Sequence, residues 1–171
     1  FVFYENKYLL GKSDVKNEEF DILLFASRDI KQAIIPKQIK YIKPNAFENC
    51  SKLNTVIFSE DSELISIGSY SFASTSLEQI KIPKTVSTIK SGAFEEGSQI
   101  KSFQSDLFYN CDSLEKIKMS DNSSLHKICK NAFHSTAIKS LFIPSTVDEI
   151  EDGWCEFIEK LTSIIISPKN T

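Results

Sequence analysis

The chain has 171 residues, 41% of them hydrophobic and 25% charged, proportions of a folded globular domain and not of a disordered segment. Its 20 Lys and Arg against 23 Asp and Glu give a net charge of −3 without any long basic run, which argues against a nucleic-acid phosphate backbone as partner. No apolar run approaches the ~20 residues that cross a bilayer as a helix, no leader peptide is recognisable, and a chain that begins at Phe1 is read as a piece of something longer.

Residues 1–29 carry no repeat. Short β-favouring runs, Phe1–Tyr4, Tyr8–Leu10 and Phe20–Ala26, are split by Glu5-Asn6-Lys7 and by the polar loop Gly11–Glu19. That pattern predicts a meander of antiparallel strands, a cap placed to cover the apolar end of the repeats that begin at Ile30.

From Ile30 a self-similar unit sets in. It reads IPKQIKYIKPNAF at 35–47, LISIGSYSF at 64–72, IPKTVSTIKSGAF at 82–94, LHKICKNAF at 125–133 and IPSTVDEIEDGWC at 143–155. Each unit is predicted to open with a strand: Ile30–Ile35, Leu53–Phe58, Leu77–Ile82, Leu114–Met119, Ile138–Ile143 and Leu161–Ile166. The first, fourth and sixth residues of these strands are apolar and point inward, the third and fifth outward. Pro36, Pro83 and Pro144 come directly after three of them, and proline, lacking an amide hydrogen, ends ladder pairing there. The V-x-x-I piece that comes next is predicted as a second short strand, and the AF-x-x-C/G segment as a single helical turn.

The anchors Phe47, Phe72, Phe94, Phe108 and Phe133 stand 25, 22, 14 and 25 residues apart. A recurring interval of this kind means stacked units, because one unit cannot bury its own apolar face. The expectation is one compact α/β solenoid over residues 30–171, mainly short parallel β-strands with short helical turns, preceded by the antiparallel β-hairpin or meander cap at 1–29.

Two units depart from the pattern. Ile100-Lys101-Ser102-Phe103 begins like a strand but runs into Gln104–Phe108 without the Ile-Pro turn, which predicts a local kink. In the last unit Cys155 stands at the phenylalanine position and Trp154 at the alanine position. After the strand Leu161–Ile166 there is only a short polar tail, and an apolar edge left bare is an association hazard, so further sequence or a partner is expected there.

Chemistry-bearing residues are few. Gly11-Lys12-Ser13 resembles the end of a phosphate-binding loop, but Asn6 stands where that motif needs glycine. His126, Cys129 and His134 differ in repeat position, so their side chains are expected to diverge instead of meeting on a zinc ion. Glu149, Glu151, Asp152, Glu156 and Glu159 read as a solvated acidic face. No catalytic motif is present, and the expectation is a protein that is not an enzyme and takes no metal or cofactor. Cys50 and Cys111 share one repeat position, three residues after Phe47 and Phe108, and read as reduced, buried fillers. Of the sequons at Asn49 and Asn122, the turn-like run around Asn122 makes it the better glycan acceptor in an exported protein.

The outward positions carry more. The third residues of the predicted strands are Gln32, Thr55, Gln79, Lys116, Ser140 and Ser163; the fifth are Ile34, Ile57, Lys81, Lys118, Phe142 and Ile165. Aligned in one sheet, the fifth column forms a stripe with apolar ends around a lysine pair. An exposed apolar row marks a binding surface, and solenoids engage partners through their concave sheet. The predicted site is therefore Ile34, Ile57, Lys81, Lys118, Phe142 and Ile165, flanked by Gln79 and Lys116.

The pattern L-x-x-I-x-I-P-x-x-V-x-x-I-x-x-x-A-F, as in Leu77–Phe94, resembles the BspA-like leucine-rich repeats over about residues 30–166. FSEDSELISIG at 58–68 and LLFASRDIK at 23–31 resemble the trichomonad members in particular. The resemblance implies a surface antigen, at the cell surface or extracellular, that mediates adhesion by binding a host or extracellular-matrix protein. A structural module that associates with itself through its solenoid ends is the alternative.

Overall fold

The structure, a computed structural model, describes residues 1–78, 80–90, 93–94, 102–103, 105, 107–109, 111, 113–117, 119 and 125–168. Three strands open the chain: β1 (Val2–Tyr4), β2 (Tyr8–Gly11) and β3 (Ile22–Ala26). β1 pairs with β2 and β2 with β3, both antiparallel. Short strands come next: β4 (Gln32–Ile35), β5 (Tyr41–Ile42), β6 (Thr55–Phe58), β7 (Ser66–Ile67), β8 (Thr88–Ile89), β9 (Ser102–Phe103) and β10 (Lys116–Ile117). β11 (Lys127–Ile128), β12 (Ser140–Ile143), β13 (Glu149–Ile150) and β14 (Ser163–Ile166) complete the order.

All pairings beyond the cap are parallel. β3 hands over from antiparallel to parallel by pairing with β5, which starts the line β5-β7-β8-β10 and makes one seven-stranded sheet with the cap. β13-β11-β9 form a second sheet, and β4-β6 and β12-β14 two separate pairs. The result is a β-solenoid of the leucine-rich-repeat kind.

Proline shapes three of the coils. β4 and β12 end directly before Pro36 and Pro144, whereas residues 80–82, in the predicted strand Leu77–Ile82, form no strand. The amides of Ile39, Val86 and Val147 each donate at 3.1 Å to the carbonyl of the proline three residues before. A turn of this sort needs no donor from proline itself. The chain then enters the V-x-x-I line, where Ile42, Ile67, Ile89 and Ile128 are buried.

The AF segments are not helical, and no described residue is. They are chains of single turns: Ala46 to Lys43, Glu48 to Asn45 and Cys50 to Phe47. Asn45 and Asn49 have φ of 61° and 60°, as do their counterparts Asn131 and Ser135 at 58° and 54°. A left-handed residue at every fourth position breaks helical propagation. It also swings alternate amides toward the next coil, where Asn45, Phe47 and Asn49 donate to Ser69, Ser71 and Ala73. Side-chain pattern alone does not show this, because an i, i+3 bond series is common to a turn run and a helix.

The inward residues form one contiguous core. Two aromatic stacks run through it, which together make its spine. Tyr8 lies edge-on to Phe47 at 6.3 Å, Phe47 stacks on Phe72 at 5.0 Å, and Phe72 on Phe94 at 5.5 Å. Phe108 stacks on Phe133 at 5.0 Å, and Phe133 meets Trp154 edge-on at 5.9 Å. Phe103 fills in edge-on against both Phe108 and Phe133.

The short unit differs from a kink within a single sheet. Phe103 pairs with Ile128 and Ile117 with Ile89, so both stretches lie in V-x-x-I lines. Strands that open the units make a first column, and those of the V-x-x-I line a second. The predicted first-column strand Leu114–Met119 is thus a second-column strand. L-x-x-I fits either column, as Leu64–Ile67 shows by pairing with Tyr41-Ile42. An Ile-Pro end does not decide the column, since β6 ends at Phe58-Ser59 without one.

Candidate functional site

The six outward positions do not form one stripe, because the first-column strands fall into two separate pairs. Ile34 lies directly beside Ile57, and Phe142 beside Ile165. Ile34 is 57% exposed, Ile57 42% and Ile165 58%. The strand neighbours of Ile34 (Ala33 and Ile35), Val56 before Ile57, and Leu141 and Ile143 around Phe142 are buried, whereas Ile164 and Ile166 around Ile165 are exposed. The strand period of two therefore turns Ile34, Ile57 and Phe142 outward. Lys116 is in β10, beside Thr88 in the seven-stranded sheet, away from the β4-β6 pair. Gln79, Lys118 and the sequon at Asn122 lie outside the described residues.

Lys81 is brought to Ile57 through a groove of about 1070 Å³. It is lined by Val56–Glu60 and Ser62 from one coil, Lys81–Thr85 from the next, and Tyr109 and Asn131. Its apolar lining includes Ile57, the half-buried Phe58, Ile82 and Pro83. The groove is not legible in the sequence, since it depends on the first-column ladder stopping at β6.

A second exposed feature is absent from the predicted site. Tyr109 stacks on His134 at 4.6 Å, and His134 meets Phe157 at 5.0 Å. Tyr109 and His134 each come one residue after a spine phenylalanine, so their shared register, 25 residues apart, is the signal the sequence holds. His134 is thereby turned to this aromatic row, with Nδ1 bonded to the Ser135 hydroxyl at 2.8 Å. Among the described residues no three His, Cys, Asp or Glu side chains converge on one point.

The remaining candidates are accounted for by local structure. In the loop after β2, Ser13 donates from its amide at 2.7 Å and from its hydroxyl to the buried Asp21 carboxylate. Lys12 donates to the Asn17 carbonyl, so this loop folds on itself. Lys127 bridges Glu149 at 2.5 Å and Glu151 at 2.7 Å, and these bonds hold the Lys127 pKa far above its ordinary value and that of Glu151 below. Cys50 and Cys111 are buried, and all four cysteines are free thiols. Burial pushes the Cys50 thiol up, opposed by Arg28 at 3.6 Å. No helix among the described residues is long and apolar enough to cross a membrane.

The family model for the BspA type leucine rich repeat region, in six copies, matches residues 18–106 and 97–171. Among solved structures, the pneumococcal vaccine antigen PcpA is 18% identical over 82% of this chain and 52% of its own, with a TM-score of 0.39. A leucine rich cell surface protein from Faecalibacterium prausnitzii is 20% identical over 93% of this chain and 52% of its own, with a TM-score of 0.38. The leucine rich repeat protein of T. pallidum is 18% identical over 94% of this chain and 69% of its own, with a TM-score of 0.38. The chain thus spans about half the length of the first two. No curated protein matches it.

Proposed function

The chain belongs to the BspA type leucine-rich-repeat family, and from that premise we propose that it is a non-enzymatic binding module, secreted or held at a cell surface, that engages a host or matrix protein. The contact face is the outward side of the first-column strands: Ile34, Ile57 and Lys81, with Phe142 and Ile165 at the far pair. One observation carries this reading. Ile34 and Ile57 stand exposed side by side on strands whose neighbouring residues Ala33, Ile35 and Val56 are buried in the core, and adjacent exposed apolar side chains are a partner-binding signal.

The test is capture of host surface proteins by the chain and by an Ile57→Glu, Lys81→Ala, Phe142→Glu variant that melts like the parent. Loss of the captured partner is expected; undiminished capture overturns the assignment of this face.

A second reading is favoured by one feature of the last coil. β14 has Ile166 67% exposed, with Ile164 and Phe157 also exposed, so self-association through a solenoid end is the alternative role. Light scattering separates the two: a monomer at high concentration supports the partner-binding reading, a concentration-dependent oligomer the structural one.

A further inference from the structure

Resting on that reading of the face, we propose that the groove beside Ile57 takes an extended, acidic peptide segment of the partner. Three features of the groove converge on this occupant.

The first is charge. Lys81 and Lys84 both line the groove. Lys37, Lys40 and Lys127 each sit within 4.0 Å of a carboxylate on a neighbouring coil, whereas neither Lys81 nor Lys84 has such a partner among the described residues. In a chain of net charge −3, two ammonium groups held without a counter-ion at the mouth of one depression are a local reversal of sign. Glu60 is the one carboxylate on its lining. A ligand carrying carboxylates gains from both lysines, and one carrying ammonium groups is repelled.

The second is the backbone. β6 pairs with β4 on one side, and among the described residues no strand pairs with its other side. An open strand edge bordering a groove is the arrangement by which an extended peptide adds itself to a sheet, main-chain bonds supplying affinity and alternate side-chain pockets specificity. The sequence places the next strand of this column at Leu77–Ile82, but residues 80–82 form no strand, and Lys81 and Ile82 line the groove with β6.

The third is the apolar lining. Ile57 and Phe58 offer apolar area in the same groove as the lysines and the half-exposed Tyr109 ring. An extended segment presents alternate side chains to opposite faces, so acidic residues at one parity and an apolar residue at the other match the lysines and the isoleucine of the lining.

The experiment is selection of a displayed library of short randomised peptides on the folded chain and on a Lys81→Glu/Lys84→Glu variant shown to melt like the parent. Enrichment of Asp and Glu on the parent, lost or inverted to Lys and Arg on the variant, is expected. The selected acidic peptide is then measured by fluorescence anisotropy, with about tenfold or more weaker binding to the variant and further weakening with salt. Enrichment without charge bias, enrichment of basic peptides on the parent, no enrichment, or equal affinity for the two proteins overturns the proposal. An Ile34→Glu/Phe142→Glu variant, altered outside the groove, keeps the two claims apart. If it loses the host partner while no acidic peptide is selected, the groove proposal fails and the face stands; if it retains the partner together with every groove variant, the face itself fails.

Discussion

The backbone amide of Ile34 donates a 3.0 Å hydrogen bond to the hydroxyl of Tyr8. Tyr8 is buried at the head of the aromatic spine, so one side chain both starts the stack of rings and closes the free edge of β4. The first-column pair is thus blocked on its β4 side by the cap, while among the described residues no strand pairs with the other side of β6. Strand addition of the kind proposed would use that side.

Removing only the hydroxyl tests this link. Tyr8→Phe keeps the ring against Phe47 and leaves the Ile34 amide without its partner, a loss of about 1 kcal/mol. Urea unfolding is the measurement, and a midpoint unchanged from the parent contradicts the edge-closing role.

Much of this arrangement is legible in the sequence, and the part that is not has physical causes. Inward residues such as Ile30, Ala33 and Ile35 follow from the strand period, and the spine from the spacing of Phe47, Phe72 and Phe133. The helical turns expected at Ala46–Cys50 fail because Asn45 and Asn49 adopt left-handed φ, a backbone choice that apolar periodicity does not record. The single stripe from Ile34 to Ile165 fails in two places: residues 80–82 form no strand beside β6, and Leu114–Ile117, which fits two strand columns equally well, pairs with Thr88-Ile89.

Gly68 marks a tight approach between coils. A Cβ there would lie 2.5 Å from the Pro44 nitrogen and 2.8 Å from the Ile42 carbonyl oxygen, the same carbonyl that accepts the Gly68 amide at 2.9 Å. Backbone cannot yield as a side chain does, so Gly68→Ala is expected to cost about 1–3 kcal/mol. An unaltered melting temperature would show that the coils are less closely apposed.

Asp21 gives the stability a defined acid limb. Burial raises its pKa, but the hydrogen bonds from the Ser13 hydroxyl and amide, with help from the Lys40 charge, outweigh that and hold it below the ordinary aspartate value. A folded value below the unfolded one, about 3.9, means the contribution is complete above that pH and is lost as pH falls through the depressed folded value. Asp21→Asn is expected to lower stability at neutral pH and to flatten its fall between about pH 5 and 2. A variant whose stability falls as steeply with acid as the parent's rejects this assignment.

The thiols report burial independently. Cys50 and Cys111 are buried, whereas Cys129 and Cys155 are partly accessible. Burial raises the thiol values of Cys50, Cys129 and Cys155, and the thiolate is the reactive form. With a disulfide reagent at neutral pH, Cys129 and Cys155 are expected to label first, and Cys50 and Cys111 only on unfolding. Mass mapping that finds Cys50 among the early sites goes against the packed turn.

The most direct test of the whole account is whether the spine is one body. Trp154, the single tryptophan, meets Phe133 at the far end, while Phe72 stacks between Phe47 and Phe94 near the other. Phe72→Ala is expected to cost about 3–5 kcal/mol. If one core runs through the chain, Trp154 fluorescence and far-ultraviolet circular dichroism unfold together and both midpoints shift by that amount. A Trp154 transition that stays at its parental midpoint while the dichroism shifts would mean two separate cores, and would contradict the account.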